Sequence, residues 1–131
     1  MARLHAQGGY IVSTLKIGRP YDPVTWTCAH AVADYYGFEF TDGDEWARTF
    51  MYWLRHKFER RGKFAGTWRD HMGEMITCRY GTGTGLHVGI VVSGGIYHAY
   101  RAPGKSGGDT VVTGFAQMTA FHDVRFYRYV G

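Results

Sequence analysis

The first half of the chain carries apolar residues at helical spacing. One set of positions follows the i, i+4 and i+7 or i+8 pattern of a single helix face: Cys28, Val32 and Tyr35 or Tyr36. Thr25 or Thr27 can cap the start of this helix, and Gly37 is placed to end it. The pattern therefore predicts a short helix with Cys28 in its first turn.

A second and longer helix is predicted further along the chain. Its apolar positions repeat at helical spacing up to Gly62: Trp46, Phe50, Trp53, Leu54 and Phe58. Asp42 and Glu45 are three residues apart and resemble a capping box at its start. An aromatic stripe with this period is typical of a helix that packs against a core.

From residue 73 the pattern changes to short apolar runs separated by glycine, which predict strands. An earlier run, Tyr10–Ile17, predicts a further strand before the first helix. Ser93-Gly94-Gly95 indicates a hairpin turn, and Phe115–Phe121 indicates a short helical or irregular crossover. Helices followed by a meander predict an α+β fold with a mainly antiparallel sheet of about five to six strands. The later predicted strands are Met75–Arg79, Leu86–Val92, Ile96–Tyr100, Thr110–Thr113 and Val124–Val130.

Length and composition fit one globular domain over residues 1–131. The chain is 45% hydrophobic and 20% charged, so it can bury a core without disulfides, and its two cysteines do not form a disulfide framework. No apolar run approaches the roughly 18 residues of a membrane span, and the start lacks the features of a secretory signal. We expect a protein made in the cytoplasm that does not enter a membrane.

The net charge of +4 favours an anionic partner. Nucleic acid is not expected, because no zinc-finger, helix-turn-helix or RNP-type signature accompanies the charge. A metal site could draw on Cys28, His30, Cys78 and His87, but no C-x2-C or H-x3-H spacing supports one. The sequence therefore predicts neither a metal nor a cofactor.

Three residues suggest nucleophilic chemistry: Cys28, His87 and His98. A helix start favours a thiolate and can hold an oxyanion, and a nearby imidazole can activate the thiol. A hairpin centred on Gly94 places His87 opposite Arg101 and His98 opposite Ile90, which separates the histidines by about 10 Å. A bulge or another register would bring them closer. His30, two residues after Cys28, points to another helix face and is a poor candidate base.

The strand segments carry a family resemblance. Residues 87–92 (HVGIVV) and 94–99 (GGIYHA) resemble the HVGIY and G-(F/I)-(I/V)-HA signature of the NlpC/P60 cysteine peptidases. Residues 73–76 (GEMI) are similar to that family's G-D-hydrophobic strand, and residues 18–21 (GRPY) to its G-x-P-Y approach to the nucleophile. The order Cys, His, His also agrees. The resemblance spans about residues 18–129.

This resemblance implies a reduced papain-like fold in which N-terminal helices carrying the cysteine pack on an antiparallel sheet. It implies Cys28 as nucleophile, His87 as general base and later acid, His98 as the residue that orients His87, and Tyr21 at the oxyanion. The implied substrates are stem peptides of bacterial cell-wall peptidoglycan. A minimal domain of this type resembles the phage-tail branch, which implies a place in the virion beside other tail proteins.

Two alternatives stay open. The family usually has D-C-S-G or D-C-W-x-L-V around its nucleophile, whereas this chain has Thr27-Cys28-Ala29-His30. That difference fits an inactive structural or assembly protein of a phage tail tip, for which the aromatic content of 17% is also suited. A CHAP-type amidase would share the nucleophile and first histidine but would cleave a different bond.

Overall fold

The computed structural model describes residues 15–40, 46–62, 67–83, 85–101 and 108–131. Within these residues, no helix is long and apolar enough to cross a membrane. Short 3₁₀ helices cover Trp68–His71 and Phe115–Ala120. The described part of the chain has two α-helices and six strands: α1 Cys28–Tyr36, α2 Trp46–Lys57, β1 Phe58–Gly62, β2 Met75–Tyr80, β3 His87–Val92, β4 Gly95–Arg101, β5 Gly108–Gly114 and β6 Phe121–Tyr129.

The six strands form one sheet in the order β1-β6-β2-β3-β4-β5, and every neighbouring pair is antiparallel. The predicted α+β class with an antiparallel sheet is therefore confirmed. The 3₁₀ helix before β6 also matches the predicted crossover. The strand bounds differ from the predicted ones by at most three residues, and the start of β2 at Met75 and the end of β3 at Val92 are as predicted.

Helix α1 begins and ends at residues that the sequence singled out. Of the two candidate caps, Thr27 is the one used: its Oγ1 accepts a hydrogen bond from the backbone N–H of His30. The His30 ring in turn accepts from the backbone N–H of Thr27, which closes a capping box. Gly37 ends the helix with φ +83°, a conformation that glycine adopts without steric cost.

The sheet has an apolar cluster on each face. Side chains alternate between the faces, so neighbouring residues of one strand join different clusters. One cluster packs the sheet against the helices, and its members include Val32, Phe50, Trp53, Val88, Ile90 and Tyr97. The other lies against the two 3₁₀ helices and includes Ile76, Cys78, Val91, Ile96, Phe121 and Phe126.

The prediction for the second helix was wrong at its end. The helix stops at Lys57, and Phe58 opens the edge strand β1, where it pairs with Tyr129 of β6. Phe58 is still buried among the aromatic rings of Tyr36 and Tyr129, so its apolar position reflects the core and not a continuing helix. Asp42 and Glu45 lie outside the described residues.

The predicted first strand, Tyr10–Ile17, lies mostly outside the described residues. Its last three residues, 15–17, are described and are not a strand. The chain that follows them runs along β5 instead: the backbone N–H of Gly18 donates to Thr110 and that of Tyr21 donates to Gly108. This contact places Tyr21 beside the start of β5.

Candidate active site

A cleft of about 380 Å³ lies at one end of the sheet. Strands β2 and β4 end there and β3 begins there, so Tyr80, His87 and Tyr100 reach the same opening. Cys28 and Tyr21 line its other wall. The structure thus brings three of the four predicted site residues to one cleft.

Cys28 is the first residue of α1, directly after the cap. Its sulfur lies against the backbone N–H groups of Val88, Ala29 and Cys28 itself, which lower the pKa of the thiol. Burial acts in the opposite direction and is the larger effect, raising the pKa of Cys28 to about 11. The expectation that the helix start would make Cys28 a thiolate does not hold for the resting protein. Burial raises the pKa by more than the backbone N–H groups lower it, so the thiol is neutral at pH 7.

His87 and His98 form a hydrogen-bonded pair. Nε2 of His87 and Nδ1 of His98 are 2.8 Å apart. The predicted separation of about 10 Å was wrong because the hairpin turn consists of Ser93 and Gly94 alone, with Val92 paired to Gly95. This register differs by one residue from the predicted one, and a shift of one residue moves a side chain to the other face of a sheet.

The corrected register places His98 beside Gly89, and His87 two residues from Gly89 on the same face. A methyl group on Gly89 would lie 3.3 Å from Cβ of His98 and 2.7 Å from Cγ2 of Ile96. Glycine at this position therefore leaves the space through which the two imidazoles meet. The sequence motif contained this glycine, but its role depends on the register.

His98 does not line the cleft, because it is fully buried behind His87. Its Nε2 is 2.8 Å from Oγ1 of Thr113, which sequence reasoning missed. The aromatic rings of Tyr80 and Phe121 also pack edge-on against His98. No local motif marks Thr113: it reaches His98 only because β5 pairs with β4, where Val111 is the partner of His98.

Both imidazoles are neutral at physiological pH. Burial lowers the pKa of His87 to about 4. Burial, and to a lesser extent the neighbouring His87, lowers the pKa of His98 to about 3. Each ring therefore carries one proton and keeps one lone pair. Within the described residues, Nδ1 of His87 has no hydrogen-bond partner, so this nitrogen is the one available to the cleft.

Tyr21 shares the cleft with Cys28 and Arg101. Burial and the nearby Cys28 raise the pKa of Tyr21, and Arg101 lowers it by less. The phenol consequently keeps its proton at neutral pH and can donate a hydrogen bond. The turn that follows Tyr21 is closed by Asp22, whose Oδ1 accepts from the backbone N–H groups of Val24 and Thr25.

The other cysteine and histidine candidates lie elsewhere. His30 caps α1, as described above, and packs edge-on against Phe40. Cys78 is a buried free thiol whose pKa burial raises to about 12. In the part of the chain that the structure describes, no three His, Cys, Asp or Glu side chains cluster as metal ligands.

A larger cavity of about 640 Å³ lies at the opposite end of the β3–β4 hairpin, beside Ser93 and Gly94. Its other walls are Trp68, Met72 and Phe115 with their neighbours, and among the described residues neither a cysteine nor a histidine lines it. Volume alone therefore does not identify the site. The grouping of nucleophile, imidazole and helix start occurs in the smaller cleft.

Comparisons with known proteins identify no relative: the chain matches no protein-family model, no curated protein and no solved structure.

Proposed function

We propose that the protein is a cysteine hydrolase with Cys28 as its nucleophile and His87 as its general base. The observation that carries this proposal is that Cys28, at a helix start, shares a cleft with His87, whose Nε2 is hydrogen-bonded to His98. A nucleophile, a base and a third group that orients the base are the parts of the generalised catalytic triad.

The resting groups are both neutral, so proton transfer accompanies attack. The sulfur of Cys28 bonds to the substrate carbonyl carbon while its proton passes to Nδ1 of His87. We assign stabilisation of the oxyanion to backbone N–H groups at the start of α1 and to the phenol of Tyr21, which shares the cleft with Cys28. The C–N bond then breaks as His87 returns the proton to the leaving amine. Water, deprotonated by His87, hydrolyses the thioester, and Cys28 regains its proton.

The substrate class that we propose is the stem peptide of bacterial peptidoglycan, cleaved as by an endopeptidase. The resemblance of residues 87–99 to the NlpC/P60 signature supports this class. Arg101 in the cleft wall and the net charge of +4 suit an anionic peptide. A papain-like arrangement is also proposed, supported by a cysteine-bearing helix packed on an antiparallel sheet. A phage tail, with other tail proteins as partners, is the setting that the same resemblance favours.

A second candidate is an inactive tail-tip or assembly protein with the same fold. The raised pKa of Cys28 favours it, because a buried neutral thiol is a weak nucleophile. The residues around the thiol, Thr27-Cys28-Ala29, also differ from the family's active pattern.

Digestion of purified peptidoglycan, followed by mass spectrometry of the soluble fragments, separates these functions. New amino termini within the stem peptide, lost in Cys28→Ala and kept in the matched Cys78→Ala variant, would establish the endopeptidase. Release of whole stem peptides from the glycan would indicate the amidase instead. No release by a folded wild-type protein would overturn the hydrolase proposal and favour the assembly protein.

A further inference from the structure

We infer that Thr113 is a positioning residue that selects the tautomer of both buried histidines and thereby keeps Nδ1 of His87 unprotonated toward the cleft. The inference deepens the proposed function and rests on it for its catalytic meaning. Its structural basis is a line of two hydrogen bonds across three strands, from His87 through His98 to Thr113.

The protons along this line admit only two arrangements. Each neutral imidazole has one N–H, and each hydrogen bond needs one proton. In the first arrangement, Nε2–H of His87 donates to Nδ1 of His98, and Nε2–H of His98 donates to Oγ1 of Thr113. In the second, the Thr113 hydroxyl donates to His98, whose Nδ1–H donates to His87, and the remaining proton of His87 lies on Nδ1.

Only the first arrangement leaves a base that can accept the Cys28 proton. In the second, Nδ1 of His87 already carries a proton, and the lone pair of that ring is on Nε2, which accepts from His98 and does not face the cleft. Whether Thr113 accepts from His98 or donates to it therefore decides whether His87 can act as a base.

The surroundings of Thr113 favour acceptance. A hydroxyl oxygen has two lone pairs and one proton, so Oγ1 can accept the N–H of His98 and keep its own proton for another acceptor, whereas donation to His98 uses that proton. Tyr80 is near enough for the Thr113 side chain to lower the pKa of its phenol against the larger effect of burial, and its oxygen is a candidate acceptor for this proton. His98 is 0% exposed, and its remaining neighbours are largely aromatic rings, so Thr113 is the partner that the described residues give to Nε2.

The test is the tautomeric state of the two rings, read from ¹⁵N chemical shifts and long-range ¹H–¹⁵N couplings in histidine-labelled protein at pH 7. We expect both rings to be Nε2–H in the wild type and in Thr113→Ser. In Thr113→Val, which keeps the β-branched shape, we expect a mixture at both rings. A wild-type His87 protonated at Nδ1, or tautomers that Thr113→Val leaves unchanged, would overturn the inference.

Kinetics on a peptidoglycan substrate gives the second readout. Loss of the hydroxyl should lower kcat about tenfold with little change in KM, and Thr113→Ser should restore it. Because the NMR measurement needs no substrate, it separates the two failures. Tautomers that respond to Thr113 in a protein without hydrolase activity would refute the proposed function alone, whereas an active enzyme with unresponsive tautomers would refute only the role of Thr113.

Discussion

Two polar clusters that contain histidine differ in their partners: one is centred on Glu74, and the other is the pair of His87 and His98. His71 donates from Nδ1 to the carboxylate of Glu74 at 2.9 Å, and Arg61 donates to the other oxygen of the same carboxylate at 3.2 Å. Within the described residues, the pair of His87 and His98 has one further side-chain hydrogen-bond partner, the hydroxyl of Thr113. A carboxylate held between two donors contributes to structure, whereas two neutral rings keep a lone pair free at the cleft. The chemistry that we propose therefore uses the cluster of two neutral rings.

The sharpest test of this contrast exchanges one histidine from each cluster. We expect His87→Gln to lower hydrolysis by about 10³-fold, because a general base contributes about 10² to 10⁴. We expect His71→Gln, the matched control, to keep turnover within a few-fold while lowering stability. Initial rates on the same peptidoglycan fragments check both variants. Equal losses of hydrolysis rate in His87→Gln and His71→Gln would contradict a catalytic difference between the two clusters.

Acid should destabilise the protein through the neutral pair. The unfolded histidines have an ordinary pKa near 6.5, whereas in the folded protein the pKa is about 4 for His87 and about 3 for His98. The unfolded chain therefore binds more protons below pH 6.5. The contribution of these two histidines to the free energy of unfolding is fully present above pH 6.5. It decreases as the pH falls, by about 1.4 kcal/mol per pH unit for each histidine, until the pH reaches the folded pKa of that histidine.

Urea unfolding between pH 8 and pH 4 measures this slope. The double variant His87→Gln/His98→Asn should flatten it, and substitution of the exposed His122 by Gln should leave it as in the wild type. A slope that the double variant does not change would show that other groups control acid stability.

In the charged cluster, Glu74→Gln should lower the free energy of unfolding by about 2–3 kcal/mol. The reason is that Glu74 is buried and the substitution weakens its bonds to both His71 and Arg61. Asp123→Asn offers a matched control at an exposed ion pair with Arg79, where we expect less than about 1 kcal/mol. Chemical denaturation measures both, and similar losses would contradict a special role for burial.

The smallest effect concerns the spacing of the neutral pair. Gly89→Ala should cost about 2 kcal/mol, since the added methyl group meets Ile96 and the backbone of Tyr97 at 3.0 Å or less. Gly114→Ala, whose methyl group would meet no atom closer than 3.9 Å, should be nearly neutral. Thermal unfolding compares them, and an unaffected Gly89→Ala protein would mean that the hairpin relaxes around the site.

These clusters also show how far sequence reasoning reaches. Helix α1 was predictable because its caps, Thr27 and Gly37, act locally. The hydrogen bond between His87 and His98 was not predictable, because it depends on whether the hairpin turn is centred on Gly94 or between Ser93 and Gly94. The contact with Thr113 depends on a further strand pairing. The pKa of Cys28 was expected to fall, since its helix position is visible in sequence and its burial is not.

The burial of Cys28 also affects how long the protein would keep its function in air. Peroxide and oxygen-derived oxidants attack the thiolate, and a pKa of about 11 leaves only about one thiol in 10⁴ ionised at pH 7. Conversion to sulfenic or sulfinic acid would be slow at that fraction. The burial that makes Cys28 a weaker nucleophile would therefore also keep it reduced for longer under oxidising conditions.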